Sequence, residues 1–172
     1  MKSIRENYVE CGVDEYYKNN ADAYENPHFS KIEHLLSEYL TTHDIGTKIL
    51  DLCCGSGEVT RILERNGNYA IIGADPYMNH VYEERTGRKC LPYSFQDIVQ
   101  EAAIGAYDTI ICSFAMHLCE ISMLNTLLYQ LSCKTNKLII LSPHKRPEIN
   151  CWFKMVDSYE FERVKMKVYE KI

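Results

Sequence analysis

Apolar and polar residues follow two different patterns in the central part of this 172-residue chain. Short runs that are almost wholly apolar alternate with longer segments in which apolar residues recur every three or four positions. The runs predict strands and the periodic segments predict helices. The predicted strands are residues 48–52, 69–75, 89–93, 108–113 and 138–141, and the predicted helices are residues 58–66, 78–86, 97–103 and 122–133.

Strands that alternate with helices predict an α/β fold built from βαβ units. The expected architecture is a doubly wound, mostly parallel sheet with helices on both faces. Ligands bind to such sheets beyond the carboxyl ends of the strands, at the switch point of the strand order. Acidic and hydroxyl side chains lie at or just past the predicted strand ends: Asp51, Asp75, Asp97, Ser113 and Ser142.

The N-terminal part of the chain predicts two helices. Residues 16–24 are aromatic and polar, and they predict a short first helix. Asn26 and Pro27 are suited to the cap and first turn of a second helix. Apolar residues then recur at helical spacing from Phe29 to Leu40, so this second helix is expected to pack one face on a core.

The C-terminal part predicts an antiparallel edge. Val164, Met166 and Val168 alternate with basic residues, which predicts a strand at residues 162–170 with one buried face. The chain ends about thirty residues after the fifth predicted strand, which leaves room for this strand and a short element at residues 150–157. We therefore expect a reduced C-terminal sheet edge, or an edge completed by a homodimer or a partner subunit.

The bulk composition is that of a globular protein. Hydrophobic residues make up 46% and charged residues 25% of the chain, and we expect residues 1–172 to form a single domain. The formal net charge of −5 argues against strong non-specific binding to nucleic acid, because the phosphate backbone attracts basic surfaces. No apolar run approaches the roughly 20 residues of a membrane span, so we expect no membrane partner.

The chain has eight cysteines, but their spacing does not predict disulfides or a metal site. No Cys-x-x-Cys pair occurs, which removes the zinc-ribbon signal. Several cysteines lie in apolar runs, where a free cysteine behaves as a small hydrophobic residue. These features favour a reducing compartment, and the predicted location is the cytoplasm.

A glycine-rich turn at residues 55–57 carries the strongest chemical signal. Gly55 and Gly57 let the backbone approach a ligand, and the next helix directs its first N–H groups toward the same place. A carboxylate at Asp51 has little use in a phosphate-binding loop, whereas a ligand with a positively charged end suits it. Thr60 stands where a dinucleotide-binding fold has Gly or Ala, which weighs against a nicotinamide enzyme.

Four motifs in order resemble those of the class I S-adenosylmethionine-dependent methyltransferases. They are Ile-Leu-Asp51-Leu-Cys-Cys-Gly55-Ser-Gly57, Ile-Ile-Gly-Ala-Asp75-Pro-Tyr, Ser-Phe-Gln-Asp97-Ile and Tyr-Asp108-Thr-Ile-Ile-Cys-Ser113-Phe-Ala-Met-His117-Leu. The resemblance spans residues 48–143. It implies the Rossmann-like methyltransferase fold, S-adenosyl-L-methionine as cofactor and S-adenosyl-L-homocysteine as product. It also implies that residues 1–45 form helices that cover the cofactor.

The resemblance assigns one group of residues to the methionine end of the cofactor. Asp51 would hold the ammonium group, and the turn that contains Cys53, Gly55 and Gly57 would admit the amino-acid portion. Ser113 and Phe114, from the fourth motif, would lie beside the sulfonium.

A second group is assigned to the nucleoside. Asp75 would bind the ribose hydroxyls, and Asp97 would accept from the adenine amino group. Either acid could instead cap the helix that follows it. The other residues that the resemblance places near the nucleoside are Pro76, Tyr77, Gln96 and Ile98.

Two histidines are candidate catalytic residues. His117 follows the fourth predicted strand and has an ordinary pKa near neutrality, so it is the first candidate for a general base. The alternative for His117 is packing, or capping of the next helix. His144 follows the fifth strand on the same rim. The Asp/Asn-Pro-Pro-Tyr/Phe motif of enzymes that methylate nucleic-acid amines is absent after the fourth strand, which disfavours methylation of adenine or of a glutamine amide.

Two further groups are candidates for substrate binding. Lys145 and Arg146 form a small cationic patch that would recognise a carboxylate or a phosphate, unless the loop is merely solvated. Three aromatic residues would form a lid over the cofactor and a wall for the substrate, although packing between helices explains them as well: Tyr16, Tyr17 and Tyr24.

Three hypotheses follow for function. The first is a methyltransferase with a small-molecule acceptor. The second is the same enzyme acting on RNA or protein, which the Lys145–Arg146 rim and the basic face of residues 163–167 favour and the overall acidity does not. The third is a catalytically silent cofactor-binding subunit that activates a partner, an idea motivated by the short C-terminal part.

Overall fold

The computed structural model describes residues 26–172, which form a seven-stranded sheet flanked by helices. The strand order is β3-β2-β1-β4-β5-β7-β6. The strands are β1 (Lys48–Leu52), β2 (Ala70–Ala74), β3 (Cys90–Leu91), β4 (Thr109–Ser113), β5 (Lys137–Ser142), β6 (Phe153–Phe161) and β7 (Val164–Lys171). The predicted mostly parallel sheet with an antiparallel C-terminal edge is confirmed.

The described part of the chain has five α-helices and one 3₁₀ turn; the first helix precedes β1, and the others lie between strands. The helices are α1 (Phe29–Leu40), α2 (Glu58–Asn66), α3 (Asn79–Thr86), α4 (Phe95–Val99) and α5 (Ile121–Ser132), and the 3₁₀ turn is Met116–Leu118. Their order confirms the predicted alternation of strands and helices.

The buried residues form one large apolar cluster on each face of the sheet. Because side chains alternate along a strand, Ile49 and Ile111 pack with α1 and α2, while Leu50 and Ile110 pack with α5 on the other face. Both faces of the central strands are therefore buried, which explains why these strands are continuous apolar runs. Each fully buried Leu or Ile side chain contributes about 1.5–3 kcal/mol to folding.

The switch point of the strand order lies between β1 and β4. Leu52 at the end of β1 pairs in parallel with Ala74 of β2 and with Cys112 of β4. From β1 the chain proceeds outward to β2 and β3, whereas β4 leads to β5 on the opposite side. The carboxyl ends of β1 and β4 thus open a crevice between diverging connections, where doubly wound folds bind ligands.

The expected reduction of the C-terminal edge is wrong, because two full strands follow β5 where the sequence predicted one strand and a short element. The strand predicted at residues 162–170 corresponds to β7, which lies between β5 and β6 and not at the edge. A two-residue turn with positive φ at Glu162 (45°) and Arg163 (69°) joins β6 to β7 as a hairpin. Within the described residues the sheet thus has its antiparallel pair, and a partner is not needed to complete it.

The pattern of β6 explains why the sequence did not reveal this strand. Consecutive residues Lys154, Met155 and Val156 are all exposed, and the register shifts between Met155 and Asp157. An exposed edge strand with a bulge lacks the regular apolar and polar alternation on which strand prediction depends.

Two predicted helix starts differ from the observed ones. The second N-terminal helix begins at Phe29 with His28 as its N-cap, whereas the sequence predicts Asn26 as the cap and Pro27 in the first turn. The Asn26 Oδ1 accepts a hydrogen bond from the His28 N–H at 2.9 Å in the turn before the helix. The helix predicted at residues 97–103 is α4, which begins two residues earlier, after Ser94. The helix predicted at residues 16–24 lies outside the described residues.

Residues 26–172 have neither a disulfide nor a cluster of metal-binding side chains. The cysteines of this part are all free thiols, and the Sγ atoms of Cys54 and Cys90 are 3.5 Å apart. These residues contain no group of three His, Cys, Asp or Glu side chains placed to hold a metal ion. None of the described helices combines the length and apolar character needed to cross a membrane.

Candidate active site

A cavity of about 380 Å³ lies at the carboxyl ends of β1, β2 and β4. It brings together most of the residues that the sequence assigned to a cofactor, although they come from four separate motifs. The predicted residues that line it are Asp51, Cys53, Gly55, Asp75, Pro76, Tyr77, Gln96, Ser113 and Phe114.

The backbone turns sharply where the two central strands end at this cavity. Cys53 follows β1 with φ of 55°, and Phe114 follows β4 with φ of 56°. The left-handed conformation costs a non-glycine residue about 1–2 kcal/mol. Such strain persists where neighbouring structure holds it, and here the Phe114 N–H donates to the Leu141 carbonyl at 2.8 Å. The two turns open the floor of the cavity.

Asp51 is buried at the end of β1 and is held by Thr60 of α2. Its Oδ2 atom accepts hydrogen bonds from the Thr60 hydroxyl at 2.8 Å and from the Thr60 N–H at 3.2 Å. Burial raises the pKa of Asp51 well above its usual range, and the nearby carboxylates of Glu58 and Asp75 raise it further. The site therefore holds a carboxylate that a positively charged ligand would stabilise in its ionised form.

Asp75 follows β2 and binds backbone N–H groups on both sides of the cavity. Its Oδ1 accepts from the N–H of Tyr77 at 2.9 Å and of Met78 at 2.8 Å, and its Oδ2 accepts from the Gly55 N–H at 3.1 Å. Burial raises the pKa of Asp75 despite these hydrogen bonds. These bonds close the turn before α3, whose N-cap residue is Met78 without a side-chain cap, so Asp75 is not the N-cap of that helix. Asp75 lines the cavity.

Glu58, which the sequence analysis did not single out, is a third buried acid at the cavity. It is the first residue of α2, and its Oε1 accepts from the Ser56 hydroxyl at 2.8 Å and from the Asn26 N–H at 3.2 Å. An acid in the first turn of a helix is common, because it interacts favourably with the helix dipole. The sequence pattern therefore did not indicate that Glu58 lines the cavity. Glu58 also joins the segment before α1 to the glycine-rich turn.

The described lining of the cavity is acidic. It includes the carboxylates of Asp51, Glu58, Asp75 and Glu120, and none of its described residues is Lys, Arg or His. The Ser113 hydroxyl oxygen is buried and has no hydrogen-bond partner among residues 26–172. A buried hydroxyl without a partner is costly, so Ser113 is a polar group available to a ligand.

The third motif, Ser94-Phe-Gln-Asp97-Ile98, contributes other residues to the cavity than the sequence predicted. Ser94, Phe95 and Gln96 line the cavity, whereas Asp97 does not. The Asp97 Oδ2 accepts from the Ser94 N–H and hydroxyl, both at 2.7 Å, and these bonds lower the pKa of Asp97. This arrangement is a capping box, the alternative considered for Asp97.

Two other predicted residues shape the site without lining the cavity. Ile98 is buried in the apolar cluster on the α5 side of the sheet. Gly57 has φ of 92°, and a Cβ atom there would lie 2.6 Å from Cγ2 of Thr86. Gly57 thus permits the close approach of α2 and α3 behind the turn.

The two candidate histidines contact each other outside the acidic cavity. The ring centroids of His117 and His144 are 4.3 Å apart. Burial and the neighbouring His144 lower the pKa of His117 to about 4, below the near-neutral value of an ordinary histidine. His117 is therefore neutral at pH 7 and can accept a proton, as a weaker base than an exposed histidine. Its buried Nδ1 has no hydrogen-bond partner among residues 26–172.

The predicted substrate residues fall into two groups. Lys145 and Arg146 are exposed in the loop after β5, and Arg146 lines a small cleft together with His144. The sequence assigned Lys165 and Lys167 to a separate basic face, but they line this same cleft. The aromatic candidates Tyr16, Tyr17 and Tyr24 lie outside the described residues.

Comparisons with known proteins identify one curated relative and many structural neighbours. No protein-family model matches the chain. An uncharacterized fission-yeast protein, C17A5.05c of Schizosaccharomyces pombe, is 36% identical over 191 aligned residues, which cover 86% of this chain and 77% of that protein.

Solved methyltransferases share the fold. Magnesium protoporphyrin IX methyltransferase (ChlM) from Synechocystis PCC 6803, solved with bound SAM, superposes with a TM-score of 0.66 at 14% identity and covers 98% of this chain and 95% of its own. The N-methyltransferase NodS from Bradyrhizobium japonicum WM9, in complex with S-adenosyl-L-homocysteine, gives a TM-score of 0.69 at 12% identity over 92% and 97% of the two chains. At these identities the likeness is one of fold.

Proposed function

We propose that this chain, which belongs to the same family as fission-yeast C17A5.05c and has the fold of class I methyltransferases, is an S-adenosylmethionine-dependent methyltransferase. The structural neighbours named above contain SAM or its demethylated product, which supports the same cofactor here. We further propose a small-molecule acceptor in preference to RNA or protein.

The observation that carries the proposal is the charge of the acidic cavity. S-adenosylmethionine brings an ammonium and a sulfonium to its site, and the four carboxylates of the described lining would stabilise both cations. A dinucleotide would instead bring two phosphates to a cavity whose described lining offers no basic side chain. The single carboxylate of S-adenosylmethionine suits the N-terminal end of α2, where the helix dipole is positive.

The residues of the cavity fit the parts of this cofactor. Asp51, whose carboxylate Thr60 orients, would hold the ammonium, and the turn at Cys53 and Gly55 would receive the amino-acid portion. The unpartnered hydroxyl of Ser113 offers a further hydrogen bond at the cavity floor, beside Phe114.

The nucleoside half would lie between the second and third motifs. We propose that Asp75 binds the ribose hydroxyls, next to Pro76 and Tyr77. Its Oδ2 accepts only the Gly55 N–H and keeps a lone pair for a hydroxyl, whereas Oδ1 already accepts two N–H groups. Gln96 would contact the adenine, with Phe95 as an apolar wall. A role for Asp97 or Ile98 at the adenine remains a prediction that the experiment below tests.

The cofactor would supply an activated methyl group: the acceptor's lone pair forms the new bond to the methyl carbon while the carbon–sulfur bond breaks and its electron pair stays on sulfur. The chain's own task is to position the acceptor in line and to exclude water. We propose that neutral His117 accepts a hydrogen bond or a proton from the acceptor.

The N-terminal segment is proposed to cover the cofactor. Asn26 lines the cavity and donates to Glu58, and His28 stacks on Phe114 with ring centroids 5.0 Å apart. These contacts bring the start of the described chain to the cavity mouth. They support residues 1–45 as part of a single methyltransferase domain with the core.

The structure removes the reason for proposing a catalytically silent subunit. That idea rested on a shortened sheet, whereas residues 153–171 supply both antiparallel strands. The buried acids at the strand ends are also present. We therefore favour an active enzyme.

Calorimetry with S-adenosylmethionine and S-adenosylhomocysteine tests the proposal. We expect both to bind, and a folded protein that binds neither would refute the assignment. Asp75→Ala and Asp97→Ala form a matched pair, because each removes a carboxylate that accepts backbone N–H hydrogen bonds beside the start of a helix, but only Asp75 lines the cavity. We expect Asp75→Ala to weaken binding at least about tenfold, the effect of one lost charge-assisted hydrogen bond. An equal loss in Asp97→Ala would restore the adenine role of that residue.

A further inference from the structure

A cluster of cationic side chains lies beside the proposed methyl-transfer site, and we call it the basic cleft. Its polar lining residues are Ser142, His144, Arg146, Lys165 and Lys167. Met116, Ile140 and Tyr169 form its apolar floor.

Strand register creates the basic cleft from distant parts of the chain. In the antiparallel pair of β5 and β7, Ser142 lies opposite Lys165 and Ile140 lies opposite Lys167. Directly opposed residues project from the same face of a sheet, so the two lysines lie on the Ser142 side. The loop at residues 143–149 then adds His144 and Arg146.

The positive charges of the basic cleft are only weakly neutralised. Lys165 has one ion pair, with 3.6 Å between its Nζ and Glu160 Oε2, and the two side chains are 29% and 54% exposed. Exposed ion pairs of this kind contribute at most about 1 kcal/mol to stability, so Glu160 holds Lys165 only weakly. Lys167 Nζ donates to the Lys145 carbonyl at 3.3 Å, and Arg146 has no ion pair within residues 26–172. None of the described cleft residues is acidic.

One short segment separates the basic cleft from the acidic cavity. Ala115 and Leu118 line the cavity, whereas Met116 of the same 3₁₀ turn lines the cleft. His117 lies between them in sequence, and its ring contacts that of His144. A small acceptor anchored in the cleft would therefore have to reach past His117 to meet the methyl group.

We propose that the methyl acceptor is a small molecule with an oxyanion, a carboxylate or a phosphate, that the basic cleft binds. This inference rests on the proposed function and specifies its substrate class. The cleft concentrates four cationic or protonatable side chains, namely His144, Arg146, Lys165 and Lys167, in a chain of net charge −5. A polynucleotide requires an extended basic surface, whereas one oxyanion requires a local cluster such as this.

Binding to the cleft can be measured without activity. Inorganic phosphate and acetate are titrated at constant ionic strength, with chloride as the reference, while the ring signals of His144 and His117 are followed by NMR. We expect saturable shifts with phosphate or acetate that chloride does not produce. The stronger of the two ligands identifies the kind of oxyanion. Equal, non-saturating responses to all three salts would overturn the proposal.

Variants with a matched control locate the effect. Lys167→Gln and Arg146→Gln should each weaken oxyanion binding about tenfold, the loss of one charge-assisted contact, and Lys167→Arg should restore much of it. Lys154→Gln removes an exposed lysine from the adjacent strand β6 outside the cleft and should have no effect. If Lys154→Gln weakens oxyanion binding as much as Lys167→Gln does, only the general surface charge matters and the cleft has no specific role.

Activity then separates this inference from the proposed function. Small molecules from a cell extract are incubated with methyl-labelled S-adenosylmethionine, and products are separated on an anion exchanger. Because methylation of a carboxylate gives an uncharged ester, the charge of the product does not always report that of the acceptor. The acceptors are therefore also fractionated by charge before the reaction. We expect the labelled product to derive from the anionic fraction. Lys167→Gln should reduce labelling while calorimetric affinity for S-adenosylmethionine stays unchanged.

The two failures are distinguishable. If the wild-type protein binds S-adenosylmethionine but methylates only neutral or cationic acceptors, the inference on substrate class is wrong. If it binds no S-adenosylmethionine, the proposed function is wrong, whatever the response to phosphate.

Discussion

The Thr60 hydroxyl donates a hydrogen bond to Asp51 Oδ2 at 2.8 Å and lies 2.8 Å from the hydroxyl of Tyr82. The hydrogen bond between Thr60 and Asp51 fixes the carboxylate at the end of β1 against the first turn of α2. In the sequence, Thr60 served only as evidence against a dinucleotide-binding fold. In the structure it orients the acid that we assign to the ammonium of the cofactor.

We predict that Thr60→Val weakens S-adenosylmethionine binding and destabilises the fold. Valine keeps the shape of threonine but removes the hydroxyl, so Asp51 loses a buried hydrogen bond. The expected loss in the free energy of unfolding is about 1–3 kcal/mol, measured by urea unfolding. Cofactor affinity, measured by calorimetry, should fall because the carboxylate is less well oriented.

Thr109→Val is the control for Thr60→Val. The Thr109 hydroxyl is also buried, and it donates to the Ile45 carbonyl at 2.7 Å, away from the cavity lining. It should reduce stability to a similar degree and leave cofactor affinity unchanged. Equal losses of affinity in the two variants would mean that Thr60 has a purely structural role.

We predict that Asp51→Asn stabilises the protein while it impairs cofactor binding. The pKa of Asp51 is raised in the folded state, so the native state favours the protonated acid and loses stability as pH rises from about 4 through the folded pKa. Asparagine removes this dependence and retains an oxygen for the Thr60 hydroxyl. The gain should therefore be present at pH 7–8 and shrink toward pH 4.

Unfolding curves of wild type and Asp51→Asn at several pH values measure this difference, and calorimetry measures affinity. A variant that is less stable than wild type at pH 8 would contradict the buried, ionised carboxylate. Retention of full affinity would remove Asp51 from the proposed ammonium site.

We predict that Gly57→Ala destabilises the fold more than Gly87→Ala does. Both glycines have positive φ, 92° and 67°, so each alanine suffers backbone strain of about 1–2 kcal/mol. Only at Gly57 does the new Cβ meet another atom, Thr86 Cγ2 at 2.6 Å, whereas nothing lies within 4 Å at Gly87. Overpacking should add about 1–3 kcal/mol at Gly57.

Urea unfolding of the two glycine variants gives the comparison. Because Gly57 precedes α2 directly, we expect Gly57→Ala to reduce cofactor affinity as well. Equal destabilisation by the two substitutions would show that α2 and α3 move apart without penalty.

We predict that His117→Gln reduces the loss of stability in acid. The pKa of His117 is lowered to about 4 in the folded state, so its full contribution is present above the unfolded pKa of about 6.5 and is lost as pH falls toward 4. The stability difference between wild type and variant should therefore decline over this window, opposite in sign to the effect at Asp51. His80→Gln, at an exposed histidine, is the control. A difference that does not vary with pH would indicate that His117 is not buried in the neutral form.

Strands β1, β2, β4 and β5 could be predicted from the sequence because burial on both faces leaves continuous apolar runs. The acids Asp51 and Asp75 could be predicted as well, since their places at strand ends follow from those runs. The capping box of Ser94 and Asp97 is also local, because the two residues are three positions apart in the sequence. The sequence could not tell whether Asp97 also faces a ligand.

The rest of the site depends on contacts that local patterns do not record. Glu58 reaches Asn26 only because α1 packs beside α2, and Lys167 joins Arg146 only through the antiparallel register of β5 and β7. Hydrophobic periodicity reports how one segment is buried, whereas strand register and helix packing depend on partners far away in the sequence. The sequence by itself therefore determined the order of strands and helices and the acids that end the strands. The tertiary structure decided which of those acids share a cavity and that the basic residues converge beside it.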